Sequence, residues 1–210
     1  MNIFILNTGR CGSTTIIQAC QHINNYSSAH ESRCGMLGEE RLNYPENHIE
    51  ADNRLSWILG RLDSKYGDNA IYVHLKRNDT DTAISFTKRY SFGIIKAYRG
   101  GGIMGALQDD SDPMSVSLDY CDTVNSNIEL FLKDKSKKMT ITLENIDQGF
   151  TEFWSLINAE GDIDAALAEF NTKYNASKRP KKNNLYQNFV RIAGKLKRAV
   201  IKFPNYIKNV

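Results

Sequence analysis

The segment Asn7-Thr8-Gly9-Arg10-Cys11-Gly12-Ser13-Thr14-Thr15 constrains this chain more than any other. Before it runs the short apolar stretch Ile3-Phe4-Ile5-Leu6, which suits a β-strand; after it, Ile16, Ile17, Cys20 and Ile23 recur at helical spacing. Strand, glycine-bearing turn and helix, in that order, aim backbone N–H groups at whatever sits beyond the strand. Gly9 and Gly12 permit positive φ or a close backbone approach. An uncapped first helical turn and the helix dipole favour an anion at that point. The hydroxyls of Ser13, Thr14 and Thr15 and the planar guanidinium of Arg10 suit phosphate or sulfate oxygens. The loop departs from the nucleotide-triphosphatase pattern G-x-x-x-x-G-K-[ST], because Ser13 follows Gly12 directly and the nearest cation, Arg10, precedes it.

A second segment repeats the arrangement. Ala70-Ile71-Tyr72-Val73-His74-Leu75 reads as a strand, Lys76-Arg77-Asn78-Asp79 follows it, and Thr80 to Arg89 reads as a helix with a polar start. Arg77 leaves the end of that strand and Ser85 lies eight residues further on. In open α/β sheets ligands bind beyond the carboxyl ends of the strands, so both loops can face one ligand if their strands are neighbours.

With these two motifs the chain resembles the PAPS-dependent sulfotransferase family, PAPS being 3′-phosphoadenosine 5′-phosphosulfate. The family's 5′-phosphosulfate loop is matched by Ile5 through Thr15, and its 3′-phosphate signature, an arginine after a strand and a serine eight residues later, by Arg77 and Ser85. The resemblance covers about the first ninety residues well and the remainder loosely. It implies an α/β, P-loop-like three-layer fold, a central parallel sheet flanked by helices. It also implies PAPS as donor and PAP, 3′-phosphoadenosine 5′-phosphate, as product. The implied donor-binding residues are Arg10, Cys11, Gly12, Ser13, Thr14, Thr15, Arg77 and Ser85. Arg10 doubles as a catalytic group that stabilises the leaving phosphate.

A hydroxyl acceptor needs a proton acceptor within hydrogen-bond reach. The segment Ser28-Ala29-His30-Glu31-Ser32-Arg33 follows the first helix and reads as a second strand; placed beside the first, it brings His30 and Glu31 to the loop's edge. In relatives acting on tyrosine or sugars a glutamate shortly after the first helix is often the base, and Glu31 occupies that place. His30 is the rival, because the small-molecule branch uses histidine, from a later segment. Adjacent strand residues point to opposite faces, so one of the two faces the site. The plain alternative for Glu31 is a surface ion pair with Arg33.

A polar cluster, Asn47 to Arg54, precedes apolar positions 55, 58, 59 and 62 of an expected amphipathic helix, with Asp52 or Asn53 as its N-cap. His48, Glu50 and Arg54 are candidates for holding an acceptor, whereas Trp57 reads as core. Residues 98–113, with three consecutive glycines and an acidic run, read as a long mobile loop. A helix over 114–133, a strand at Met139–Leu143 ending in Glu144, and helices near 149–158 and 162–173 complete the body.

The chain's 210 residues, 41% of them hydrophobic and 24% charged, are those of a globular α/β domain. A net charge of +3 is too slight for nucleic acid yet suits a polyanionic donor. Cys11, Cys20, Cys34 and Cys121 form no C-x-x-C pair, so no metal is implied. Within the anion loop, Arg10 and a helix N-terminus could lower the Cys11 pKa, although a small residue that fits there is the simpler role. No signal-peptide pattern or membrane-length apolar run is visible, and the expected location is cytoplasmic.

The expected division is a nucleotide-binding domain over 1–180 and a basic amphipathic tail over 181–210. In the tail, apolar residues from Phe189 to Phe203 keep helical spacing among lysines and arginines. Such a helix supports peripheral membrane contact or simply packs on the domain. In the sulfotransferase family a basic segment near the C-terminus often helps to hold the 3′-phosphate or adenine, so the resemblance makes Lys178 and Arg179 candidates for that. The expected activity is transfer of a sulfuryl group from PAPS to an acceptor hydroxyl, on a carbohydrate in preference to tyrosine. The alternatives are a phosphoryl-transfer enzyme with an unusual loop, kinase or nucleotidase, and a non-catalytic nucleotide-binding relative.

Overall fold

Phe4 and Leu6 point to one side of the first strand, Ile3 and Ile5 to the other, and all four are fully buried. A strand apolar on both faces requires a layer on each side. In the computed structural model, residues 1–172 and 174, apart from 106, 108 and 109, are described. Its five strands, β1 (Asn2–Asn7), β2 (Ser27–His30), β3 (His48–Ala51), β4 (Ala70–Lys76) and β5 (Lys138–Thr142), form one sheet of order β2-β3-β1-β4-β5. Every pairing is parallel, with Ile3 opposite Ile49 and Ile71.

On one face, Ile3, Ile5, Val73 and Ile141 pack with residues of helices α1 (Ser13–Cys20), α6 (Ile146–Leu156) and α7 (Ile163–Ala168). On the other, Phe4, Leu6 and Tyr72 pack with α2 (Leu59–Tyr66), α3 (Asp79–Thr87), α4 (Gly93–Ala97) and α5 (Pro113–Leu132). The result is the expected three-layer α/β fold. The described residues belong to one compact unit. The tail positions singled out above, Lys178, Arg179 and 189–203, lie outside the described residues.

Four expectations change. The segment carrying His30 does not lie beside β1; β3 intervenes, and β2 is the sheet edge. β3 itself takes up His48–Ala51, where the sequence gives a polar approach to a helix. Its polar side chains are buried because they satisfy one another: His48 Nε2 meets Glu50 Oε2 at 3.1 Å, and Ser27 Oγ meets His48 Nδ1 at 2.8 Å. The helix expected over 55–62 divides into a 3-10 turn, Asn53–Trp57, and α2. Asp52 does cap the first of these, its Oδ1 accepting the Arg54 N–H at 2.8 Å.

Finally, the region read as a mobile loop continues α4 into a π-helical turn at Tyr98–Gly102. Tyr98 anchors it, only 1% exposed and with its hydroxyl 3.2 Å from Thr123 Oγ1. Among the described residues no helix is long and apolar enough to cross a membrane.

Candidate functional site

The turn after β1 is braced from three sides. Asn7 Oδ1 accepts the Gly9 N–H at 2.8 Å, Ser56 Oγ donates to Asn7 O at 3.2 Å, and Tyr120 Oη donates to Thr8 O at 2.7 Å from α5. Gly9, Arg10 and Gly12 all have positive φ, at 80°, 62° and 93°. This succession turns the chain sharply, and Gly12 becomes the N-cap of α1 with no side-chain cap bond. Helix geometry gives the amides of the first turn no acceptor within the helix.

Beyond them opens a cavity of about 650 Å³, lined by Arg10, Gly12, Ser13, Thr14, Thr15, Arg77 and Ser85 among others. The two sequence motifs therefore meet, as adjacent β1 and β4 require. Arg10 Nε donates to Ser85 Oγ at 3.0 Å, and Arg77 Nη1 donates to the Arg10 carbonyl at 3.2 Å. Burial, then the neighbouring charges of Arg89 and Arg77, lowers the Arg10 pKa. Cations crowded in this way favour a multiply charged anion.

Cys11 faces elsewhere. Its side chain is fully buried, its thiol 3.5 Å from Asn7 Oδ1, and burial pushes its pKa up to about 11. The lowering conceived for the sequence does not occur because desolvation of a thiolate outweighs the nearby dipoles. Cys11 can offer a ligand its backbone N–H alone.

The remaining lining was not singled out in the sequence. Asp81 and Ile84 lie in α3 and Lys88 caps its end; Leu143 follows β5 and Ile146 opens α6; Phe170, Thr172 and Tyr174 follow α7. The helical phase of Ser85 places the first three on its own face. The last five are gathered only by tertiary packing, and they add apolar and aromatic lining to a cavity that also holds the cations.

His30 and Glu31 separate as well. His30 ends β2, and its Nε2 lies 3.0 Å from Ser13 Oγ at the start of α1. Glu31 stands past the strand with φ of 51°, its N–H donating to Ala51 O at 3.0 Å. Its carboxylate pairs with Arg54 at 2.7 Å, not with Arg33, which pairs with Glu40 at 3.4 Å. Neither His30 nor Glu31 lines the cavity itself.

Of the other acceptor candidates, His48 and Glu50 are buried and engaged with each other. Glu50 also accepts from Ser32 N at 2.7 Å and Ser32 Oγ at 2.6 Å. Arg54 is the accessible one. Burial works against its charge, but Glu31 and Asp52 outweigh that and hold its pKa above the ordinary value. Among the described residues, no three His, Cys, Asp or Glu side chains are grouped to share a metal ion.

No family model matches the chain, and no curated protein matches it. Among solved structures, the chain is similar to mouse sulfotransferase SULT7A1, crystallised in complex with PAP. The match covers 81% of this chain and 63% of that one, with a TM-score of 0.51 and 10% sequence identity. At that identity the likeness is one of fold alone.

Proposed function

We propose that residues 1–180 form a sulfotransferase domain that moves a sulfuryl group from PAPS to an acceptor hydroxyl, on a carbohydrate. The observation that carries this reading is the junction of Arg10, Arg77 and Ser85 over the first turn of α1 in one cavity. Two anionic groups at the two ends of a nucleotide fit a site with two cationic motifs. The apolar and aromatic part of the lining, Leu143, Ile146, Phe170 and Tyr174, suits a purine base. The solved sulfotransferase of similar fold, held with PAP, adds fold-level support.

In this reading the acceptor oxygen attacks sulfur in line, and the bond from sulfur to the bridging oxygen breaks. The electron pair leaves with PAP. Arg10 and the amides opening α1 stabilise the charge that grows on that phosphate. Glu31 takes the acceptor's proton as a carboxylate base. A second reading gives this role to His30, favoured by its contact with Ser13 at the head of α1.

Calorimetric titration with PAP, ADP and ATP on the native chain and on Arg77→Ala tests the donor site. Micromolar PAP binding, weak ADP binding and a loss on removing Arg77 are expected. Binding of ATP equal to or tighter than PAP would overturn the reading in favour of phosphoryl transfer. PAP binding with no transfer to any acceptor, unchanged by Glu31→Gln, would indicate a non-catalytic relative.

A further inference from the structure

Four charges form a chain at the carboxyl ends of β2 and β3. Arg41 Nη2 lies 2.5 Å from Asp52 Oδ2, Asp52 Oδ1 lies 3.8 Å from Arg54 Nη1, and Arg54 Nη1 lies 2.7 Å from Glu31 Oε2. The inner pair is sealed, with the Asp52 side chain 0% exposed and that of Arg41 7%. The outer pair is open to solvent, at 37% for Arg54 and 29% for Glu31. Arg41 takes up the charge of Asp52, so Glu31 is the principal counterion of Arg54. The four charges sum to zero.

That balance conflicts with the role of Glu31 as a base. Glu31 Oε2 is already engaged with Arg54, and once the carboxylate accepts a proton the chain of charges carries an excess positive charge on a half-buried arginine. Both difficulties vanish if a second carboxylate takes the place of Glu31 on Arg54 before the proton moves.

The local structure allows this exchange. Backbone contacts fix both ends: the Glu31 N–H donates to Ala51 O, and the Arg54 N–H donates to Asp52. Only the Glu31 side chain needs to rotate. Arg54 Nη1 lies 2.7 Å from Glu31 Oε2 and 3.8 Å from Asp52 Oδ1 and is shielded from solvent. An incoming anion gains access to Nη1 when Glu31 swings away. The remaining face of a planar guanidinium suits a planar carboxylate, which it can hold through two parallel N–H donors.

We propose that Arg54 is the acceptor-binding residue for a carboxylate carried by the acceptor, such as that of a uronic acid, and that its capture releases Glu31 to act as base. This rests on the sulfotransferase reading with Glu31 as base.

The test titrates the PAP-saturated full chain with methyl β-glucuronide and with methyl β-glucoside, followed by ligand-observed NMR. The two differ only in the group at C6. The glucuronide is expected to bind about tenfold more tightly or better. Arg54→Gln should remove that preference, and Glu31→Gln, which removes the competitor for Arg54, should strengthen glucuronide binding several-fold with glucoside unchanged. PAP affinity serves as the folding control in both variants, since neither residue lines the donor cavity. No preference for the glucuronide, undetectable binding of both sugars, a preference that survives Arg54→Gln, or weaker glucuronide binding in Glu31→Gln would each overturn the proposal. Failure of the native chain to bind PAP would instead overturn the sulfotransferase reading on which it stands.

Discussion

The guanidinium of Arg10 donates from Nε to Ser85 Oγ at 3.0 Å, tying the first strand-to-helix loop to a helix face 75 residues further along the chain. Arg77 closes the same junction through the Arg10 carbonyl. These bonds preorganise the cationic half of the cavity, so that an anion meets groups already ordered. Removing Arg77 deletes a cation, which should cost about 1.5–3 kcal/mol, or roughly tenfold to a hundredfold in PAP affinity. Ser85→Ala deletes one neutral hydroxyl and should cost about tenfold at most. Calorimetry on the two variants checks the ranking; a larger loss for Ser85→Ala would contradict it.

The cysteines should differ sharply toward alkylating agents. The thiols of Cys11, Cys20 and Cys121 are buried, and burial raises the pKa of each, that of Cys11 to about 11. At pH 8 a thiol of that pKa is about one part in a thousand thiolate, the reactive form. Cys34 is exposed. Iodoacetamide on the native protein should label Cys34 alone, with peptide mass spectrometry as readout. Rapid labelling of Cys11 would show that the anion loop opens in solution.

Gly12 marks the turn into α1 with φ of 93°. A Cβ there would lie 2.8 Å from Leu143 Cδ1, the end of a side chain that can rotate away, whereas the backbone conformation itself cannot relax. Gly12→Ala should therefore lose about 1–2 kcal/mol, and the loss should persist in a Leu143→Ala background. Thermal unfolding of the four proteins in the cycle decides it. Disappearance of the penalty with Leu143 removed would make it steric and not conformational.

His74 introduces a pH dependence of stability. Asn125 Nδ2 donates to Asp79 Oδ1 at 3.0 Å, which leaves Asn125 Oδ1 to accept from His74 Nε2 at 3.1 Å. Burial lowers the His74 pKa despite that bond. The unfolded chain thus binds the proton more readily, so the stabilisation is complete above the unfolded value of about 6.5 and is lost as pH falls through the folded value. Between about pH 7.5 and about pH 5.5, the Tm of the native protein should fall more than that of His74→Gln, which keeps a donor and cannot titrate. Equal falls would remove His74 from the account.

How much of this was legible in the sequence depends on where each partner lies. β1 and β4 are interior strands of a parallel sheet, buried on both faces, and their continuous apolar runs announce them. The anion loop is nine adjacent residues whose backbone chemistry is local. β2 and β3 are short and polar, and only side chains far apart in sequence make their burial tolerable: Ser27 with His48, Ser32 with Glu50. The pairing of Glu31 with Arg54 spans the same gap, which is why the nearer Arg33 looked like its partner. Phe170 and Tyr174 reach the cavity only because α7 packs near α1.

One such distant contact governs the second anion motif. Asn78 caps α3, its Oδ1 accepting the Asp81 N–H at 3.1 Å, while its own N–H donates to Glu144 Oε1 at 2.8 Å, just beyond β5. Glu144 thereby holds the turn from which Arg77 emerges. Glu144→Ala leaves that N–H to water and frees the turn, so Arg77 must be ordered at the moment an anion binds. A loss of about 1 kcal/mol, roughly fivefold in PAP affinity, is expected. Glu144→Gln retains an acceptor oxygen and should stay near the native affinity. The contrast isolates positioning from charge: removing a carboxylate near a cationic site would, by charge alone, tighten anion binding in both variants. Titration of PAP into the two proteins reads the difference directly, and a gain of affinity in Glu144→Ala would show that its charge, not its hydrogen bond, is what the site feels.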